Sequence, residues 1–108
     1  MENNSLIIKG QLSTDTVLEA VTKVTGVSKN NILSDLRYWP VVEARMLSAL
    51  MLSRLGLVDI KIAWILNRGR ASICKSRHVG EDLLQVSKTF QDKFNKVQSI
   101  LNPEKDEK

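Results

Sequence analysis

The chain has 108 residues, 43% hydrophobic and 26% charged, the make-up of one small soluble domain and too little for a catalytic domain beside a binding domain. Its formal net charge of +4 leans towards a polyanionic partner, while one cysteine and one histidine exclude a disulfide framework and a metal-ligand cluster. With two prolines, five glycines and no recurring alternation of β-branched and aromatic residues, strands have little to be built from, and the expected fold class is all-α: a compact helical domain.

Residues 1–12 set Leu6, Ile7 and Ile8 among polar residues without a helical period. They are expected to form a loose arm whose apolar triplet rests on the body. The triplet is too short for a signal-peptide core and no apolar run reaches the roughly 18 residues of a membrane span, so the expected location is cytoplasmic. The helical domain is expected over 13–101. Ser13 or Thr14 opens a first helix carrying Val17, Leu18, Val21 and Val24 at steps of three and four, with a capping box between Thr16 and Glu19 and a stop at Gly26. Ser28 caps a short second helix containing Ile32 and Leu33. A connection follows with Arg37, Tyr38 and Trp39, in which the arginine is offered to a partner or the aromatic pair pins the loop to the core.

Pro40 suits the first turn of a helix, where its missing N–H is not needed, and the helix runs to Gly56, about 24 Å. Val42, Met46, Ala49, Leu50, Leu52 and Leu55 wrap much of its circumference, so it needs neighbours on more than one side and is expected to be the central beam, with Met46 and Met51 as core fillers. Arg45 and Arg54 on this apolar helix are either snorkelling surface charges or structural ion-pair partners.

Val58 to Val79 reads as two short helices joined by a tight turn. Asp59 caps the first, Ile62, Ala63, Ile65 and Leu66 give it one apolar face, and Asn67, Arg68 and Gly69 stop it, Asn67 and Gly69 being residue types that tolerate the positive φ of a sharp reversal. The second helix restarts at Arg70 with Ile73 inward and Arg70, Ser72, Lys75 and Arg77 on its surface. Five Lys or Arg and no acid lie between Ile60 and Gly80. This is the grammar of a helix-turn-helix that carries a basic helix into a major groove; ordinary bundle packing with solvated charges gives the same pattern. Cys74 reads as a small half-buried helix residue, Trp64 as a core aromatic and His78 as a surface residue.

Ile73, Ser76, Gly80, Leu83, Ser87, Phe90, Phe94, Val97 and Leu101 then follow at alternating steps of three and four, a heptad seam. An unbroken helix from Arg70 to Leu101 would be about 48 Å long. Either it bends near Gly80 and a C-terminal helix, 81–101, folds back over the early helices, or it projects and pairs with a second copy as a homodimer. The width added by Leu84 and Val86 favours the folded-back form. Residues 102–108 are charged, interrupted by Pro103, and expected to be a disordered tail.

These pieces in this order resemble the C-terminal DNA-binding domain of the bacterial replication initiator DnaA, a Trp-repressor-like helix-turn-helix fold, over about 17–79. Val27-Ser28 and Ile32-Leu33-Ser34 are similar to that family's short helix before a basic loop, Val42-Glu43-Ala44-Arg45 with Leu52 and Leu55 to its long helix, and Ile62-Ala63, Leu66 and Arg68 to Ile73 to its helix-turn-helix. The resemblance implies a recognition helix in the major groove and, from the loop, Arg37 as the residue reaching the minor groove. Where the family reads Gly-Gly-Arg-Asp-His-Thr-Thr-Val, this chain reads Asn67-Arg68-Gly69-Arg70-Ala71-Ser72-Ile73, one residue shorter and without the Asp-His pair; its loop keeps one arginine, and the family's ATPase domain is absent.

The expected function is therefore double-stranded DNA binding, as a transcriptional regulator or accessory replication factor. Arg68, Arg70, Ser72 and Lys75 are expected at the groove, Lys61 and Arg77 at phosphates, and Arg37 as the minor-groove arm. The alternative is a protein-interaction module that keeps the fold and pairs through its C-terminal helix. No carboxylate pair, nucleophile with base, phosphate-binding glycine loop or metal set is legible, so no enzyme activity, cofactor or small-molecule substrate is expected.

Overall fold

The computed structural model describes residues 7–9 and 12–102. Among these lie six helices, α1 (Thr14–Thr25), α2 (Lys29–Ile32), α3 (Trp39–Arg54), α4 (Asp59–Leu66), α5 (Arg70–Val86) and α6 (Lys88–Leu101), after two short strands, β1 (Ile7–Lys9) and β2 (Leu12–Ser13). The fold is all-α, as the composition predicts. The strands pair antiparallel, Ile7 opposite Ser13 and Lys9 opposite Leu12, so part of the expected loose arm is hydrogen-bonded backbone running straight into α1. So few residues show no alternation in sequence. Leu6, the side chains of Ile7 and Ile8, and the tail beyond Asn102 lie outside what the structure describes, and with them the expected packing of the triplet and the expected disorder of the tail.

Local signals set most helix ends. The Ser13 hydroxyl accepts the Thr16 N–H at 3.2 Å, so the cap of α1 lies one turn before the expected Thr16–Glu19 box. Gly26 ends the helix at φ 78°, its N–H returning to the Thr22 carbonyl at 2.8 Å. Ser28 caps α2 through the Asn31 N–H, and Pro40 sits in the first turn of α3.

α3 is buried at Val41 and then continuously from Glu43 to Leu52, on every side, because α1, α2, α4, α5 and α6 all pack against it. It meets the beam expected from its wrapped apolar pattern. Its two arginines do different things. Arg54 pairs with Glu81 at 2.8 Å and lies over the Phe94 ring at 5.5 Å, whereas Arg45 is buried and bonded only to carbonyl oxygens, neither snorkelling nor ion-paired. Glu43, also buried, receives Lys93 of α6 at 2.7 Å.

The seam turns inward along its whole length: Ile73, Gly80, Phe90, Phe94 and Val97 are buried, and Ser76, Leu83, Ser87 and Leu101 half-buried. The chain does fold back, with α6 lying on α1 and α5, and its greatest extent of 38 Å is shorter than one unbroken helix would be. The bend, however, is at Ser87 and not at Gly80. Gly80 stays helical because α5 crosses α3 there: a Cβ at this position would stand 3.4 Å from Leu50 Cδ2. Ser87 makes the corner. Its hydroxyl accepts the Phe90 N–H at 3.2 Å to start α6, and Gln91 reaches back to the Leu84 carbonyl at 2.6 Å to finish α5. Full burial of a ring such as Phe90 contributes roughly 1.5–3 kcal/mol, and the apolar face of α6 is used within the chain.

Candidate nucleic-acid interface

α4 buries Ile62, Ala63, Ile65 and Leu66, the four residues its spacing singles out, and turns Ile60, Lys61 and Trp64 to solvent. Trp64 is 52% exposed, not the core aromatic expected, because it lies on the face of α4 opposite the buried Ile62, Ala63, Ile65 and Leu66. Asp59 does not cap α4. Val58 is the N-cap, and Asp59, in the first helical position, takes both hydrogen bonds of the Arg77 guanidinium.

Asn67 ends α4 in the left-handed region at φ 58°, the only non-glycine residue among those described to do so, and Gly69 is extended and precedes α5 without a side-chain cap. Of the two residues chosen for tolerance of positive φ, only Asn67 uses it. An open concavity lined by Ala63, Trp64, Asn67, Arg68 and Gly69 lies over the turn. From there α5 leaves with Ile73 as its one buried anchor before Gly80, while Arg70, Ala71, Ser72, Lys75, His78 and Val79 are exposed. No acid stands in its first turn, so its opening N–H groups and the positive end of the helix dipole face solvent beside Arg70.

The cations differ in their partners. Lys29, Arg54, Arg77, Lys88 and Lys93 are paired with Asp15, Glu81, Asp59, Asp92 and Glu43, and Arg45 and Arg68 are bonded to carbonyl oxygens. Arg37, Lys61, Arg70 and Lys75 are exposed and have no carboxylate partner among the described residues, as is true of Lys23 on α1 and Lys96 on α6. Of the predicted site residues, then, Arg70, Ser72 and Lys75 are exposed along the first half of α5 and Lys61 is exposed on α4. Arg77 is withdrawn: Nε and Nη2 lie 2.8 Å from the two carboxylate oxygens of Asp59, whose carboxyl is held below the usual range chiefly by these hydrogen bonds, with attraction from Arg70 and His78 adding to them.

Arg68 is half-buried and donates to the Ser34 carbonyl at 3.3 Å, so the turn touches the loop that carries Arg37. Beneath that loop lies Arg45, which sequence reasoning missed. It is 5% exposed and donates to the carbonyls of Ile32 at 2.9 Å, Ser34 at 2.6 Å, Leu36 at 3.1 Å and Asn31 at 3.3 Å. A signal was present: an arginine in the middle of a helix apolar on all sides must be buried, and a buried guanidinium needs acceptors. Burial lowers its pKa, and so does repulsion from Arg68 and Arg37, with Asp35 opposing. Arg68 and Arg37 are thus each close enough to repel Arg45. Tyr38 and Trp39 are more than half exposed and do not pin the loop; Arg45 does.

His78 donates from Nδ1 to the Cys74 carbonyl of its own helix at 2.9 Å, and Cys74 is half-buried, as expected of a small helix residue. Among the described residues no His, Cys, Asp and Glu cluster could hold a metal ion, and no helix is long and apolar enough to cross a membrane. Compared with known proteins, the chain matches no family model and no curated sequence.

Proposed function

We propose that this chain binds double-stranded DNA, with α4 and α5 acting as a helix-turn-helix and the first half of α5 entering the major groove. Arg70, Ser72 and Lys75 contact base edges or phosphates, Lys61 a phosphate beside them, and Arg37 reaches the neighbouring minor groove. The observation that carries the reading is the grouping of unpaired charge. Arg37, Lys61, Arg70 and Lys75 are exposed without a carboxylate partner among the described residues, on the 33–38 loop, α4 and the first half of α5, whereas Lys23 and Lys96, also exposed and unpaired, stand singly on α1 and α6. The likeness of the helix order to the DnaA C-terminal domain supports the same reading. Replication or transcriptional regulation is the role it would imply.

In a mobility-shift assay with duplex DNA, Arg70→Ala combined with Lys75→Ala should abolish binding while the helical circular-dichroism spectrum is kept. Wild-type affinity should fall by roughly 0.9 log units per phosphate contact for each tenfold rise in salt. Unchanged binding in the double variant rejects α5 as the reader.

A second reading has its own observation. Val58, Ile60 and Trp64 leave an exposed apolar stretch at the start and outer side of α4, which suits a protein-docking face. Pairing through α6 is not part of this reading, because Phe90, Phe94 and Val97 are buried within the chain. Association through α4 would persist at high salt; DNA binding would not.

A further inference from the structure

The carbonyl oxygens at the end of α2 and in the loop between α2 and α3 are engaged by side chains at five positions. Arg45 takes those of Asn31, Ile32, Ser34 and Leu36; the Asn67 amide donates to that of Leu33 at 3.4 Å; and Arg68 shares Ser34 at 3.3 Å. The Ser34 hydroxyl adds two local bonds, donating to the Asn31 carbonyl at 2.7 Å and accepting the Leu36 N–H at 3.2 Å. Held at these carbonyls, the loop leaves Leu36, Arg37 and Tyr38 exposed.

Two of these anchors come from α3, the central beam, and from the turn itself, and they converge on one oxygen. We infer that Arg45 and Arg68 are positioning residues: meeting at the Ser34 carbonyl, they fix the 33–38 loop to the α4–α5 turn, so that Arg37 and α5 are presented to duplex DNA as one rigid two-part surface. Arg68 thus works through the loop and not at the bases. A guanidinium is required at position 45, since only a planar fork can serve four carbonyls at once; a lysine offers a point charge and three donors that cannot span them. The clamp holds Arg45 against repulsion from Arg68 and Arg37, and a phosphate arriving at Arg37 offsets the latter.

The DNA half of the inference rests on the function proposed above; the clamp does not, and the two are tested separately. In the free full chain, hydrogen exchange followed by mass spectrometry should show the amides of 33–38 exchanging about tenfold faster in Arg68→Ala, the effect of losing one charged hydrogen bond, with α3 and α6 unchanged. Unaltered loop exchange overturns the clamp. In the mobility-shift assay, Arg68→Ala should weaken wild-type affinity about tenfold yet add little once Arg37→Ala is present, and Arg68→Lys should recover part of the loss. Losses that multiply in the Arg37→Ala, Arg68→Ala double variant place Arg68 on the DNA itself and overturn the positioning role. A wild-type chain that binds no duplex removes the presentation of Arg37 to DNA, while the exchange result still decides the clamp. Arg45→Lys, which keeps the charge, should raise loop exchange further than Arg68→Ala; equal or smaller exchange counts against the four-carbonyl fork.

Discussion

Arg77 and Asp59 face each other across the α4–α5 unit with two hydrogen bonds of 2.8 Å, the guanidinium fork of one meeting both oxygens of the other. The pair ties the start of α4 to the second turn of α5 and so steadies the protruding helix. It also neutralises the one cation of the predicted interface that an acid reaches.

Replacing Asp59 by Asn should therefore move stability and DNA affinity in opposite directions. Stability falls by about 1 kcal/mol, the scale of a partly exposed bidentate pair. The Asp59 carboxyl titrates lower in the folded chain than in the unfolded one, so its contribution is complete above the unfolded value of about 3.9 and is lost as pH falls through the folded value. Urea denaturation from neutral pH down to the acid limb should show this loss in the wild type and a flatter limb in Asp59→Asn. In a mobility-shift titration the same variant should bind duplex more tightly, with a salt slope steeper by about 0.9, because Arg77 is released to a phosphate. Weaker binding with a normal melting profile would contradict it.

Gly80 is a helix-interior glycine held at the crossing of α5 and α3. Gly80→Ala should stabilise by about 0.5–1 kcal/mol through backbone entropy, since the new methyl group would meet the end of the Leu50 side chain at 3.4 Å, an ordinary contact. Thermal denaturation should shift upward by a few degrees. Gly80→Leu should do the reverse, losing roughly 1–3 kcal/mol as α5 is pushed off α3. A destabilised alanine variant would mean that the crossing has no room to give.

At Asn67 the left-handed backbone sets the order of tolerance. Asn67→Gly should change stability by a few tenths of a kcal/mol, whereas Asn67→Val should lose roughly 1–2 kcal/mol, the strain of a β-branched residue at φ 58°. Chemical denaturation of the two variants compares them directly. Equal losses would show that the side-chain bond to the Leu33 carbonyl, and not the backbone, is what the position supplies.

By itself the sequence determined the helices, their inward faces and most of their ends. Three-and-four spacing marked Ile62, Ala63, Ile65, Leu66 and the seam from Ile73 to Leu101 as the buried side, and serine, proline and glycine signals lie within the same few residues as the boundaries they set. What the tertiary structure alone decided is which polar groups meet. Gly80 looks like a breaker until α3 is seen lying across it. Arg45, Arg68 and Arg77 look alike as letters, yet one holds a loop, one ties that loop to the turn and one is held by Asp59. Periodicity records a residue's relation to its own helix axis, and the partner of a guanidinium is chosen by segments brought together from 9 to 34 positions away in the chain.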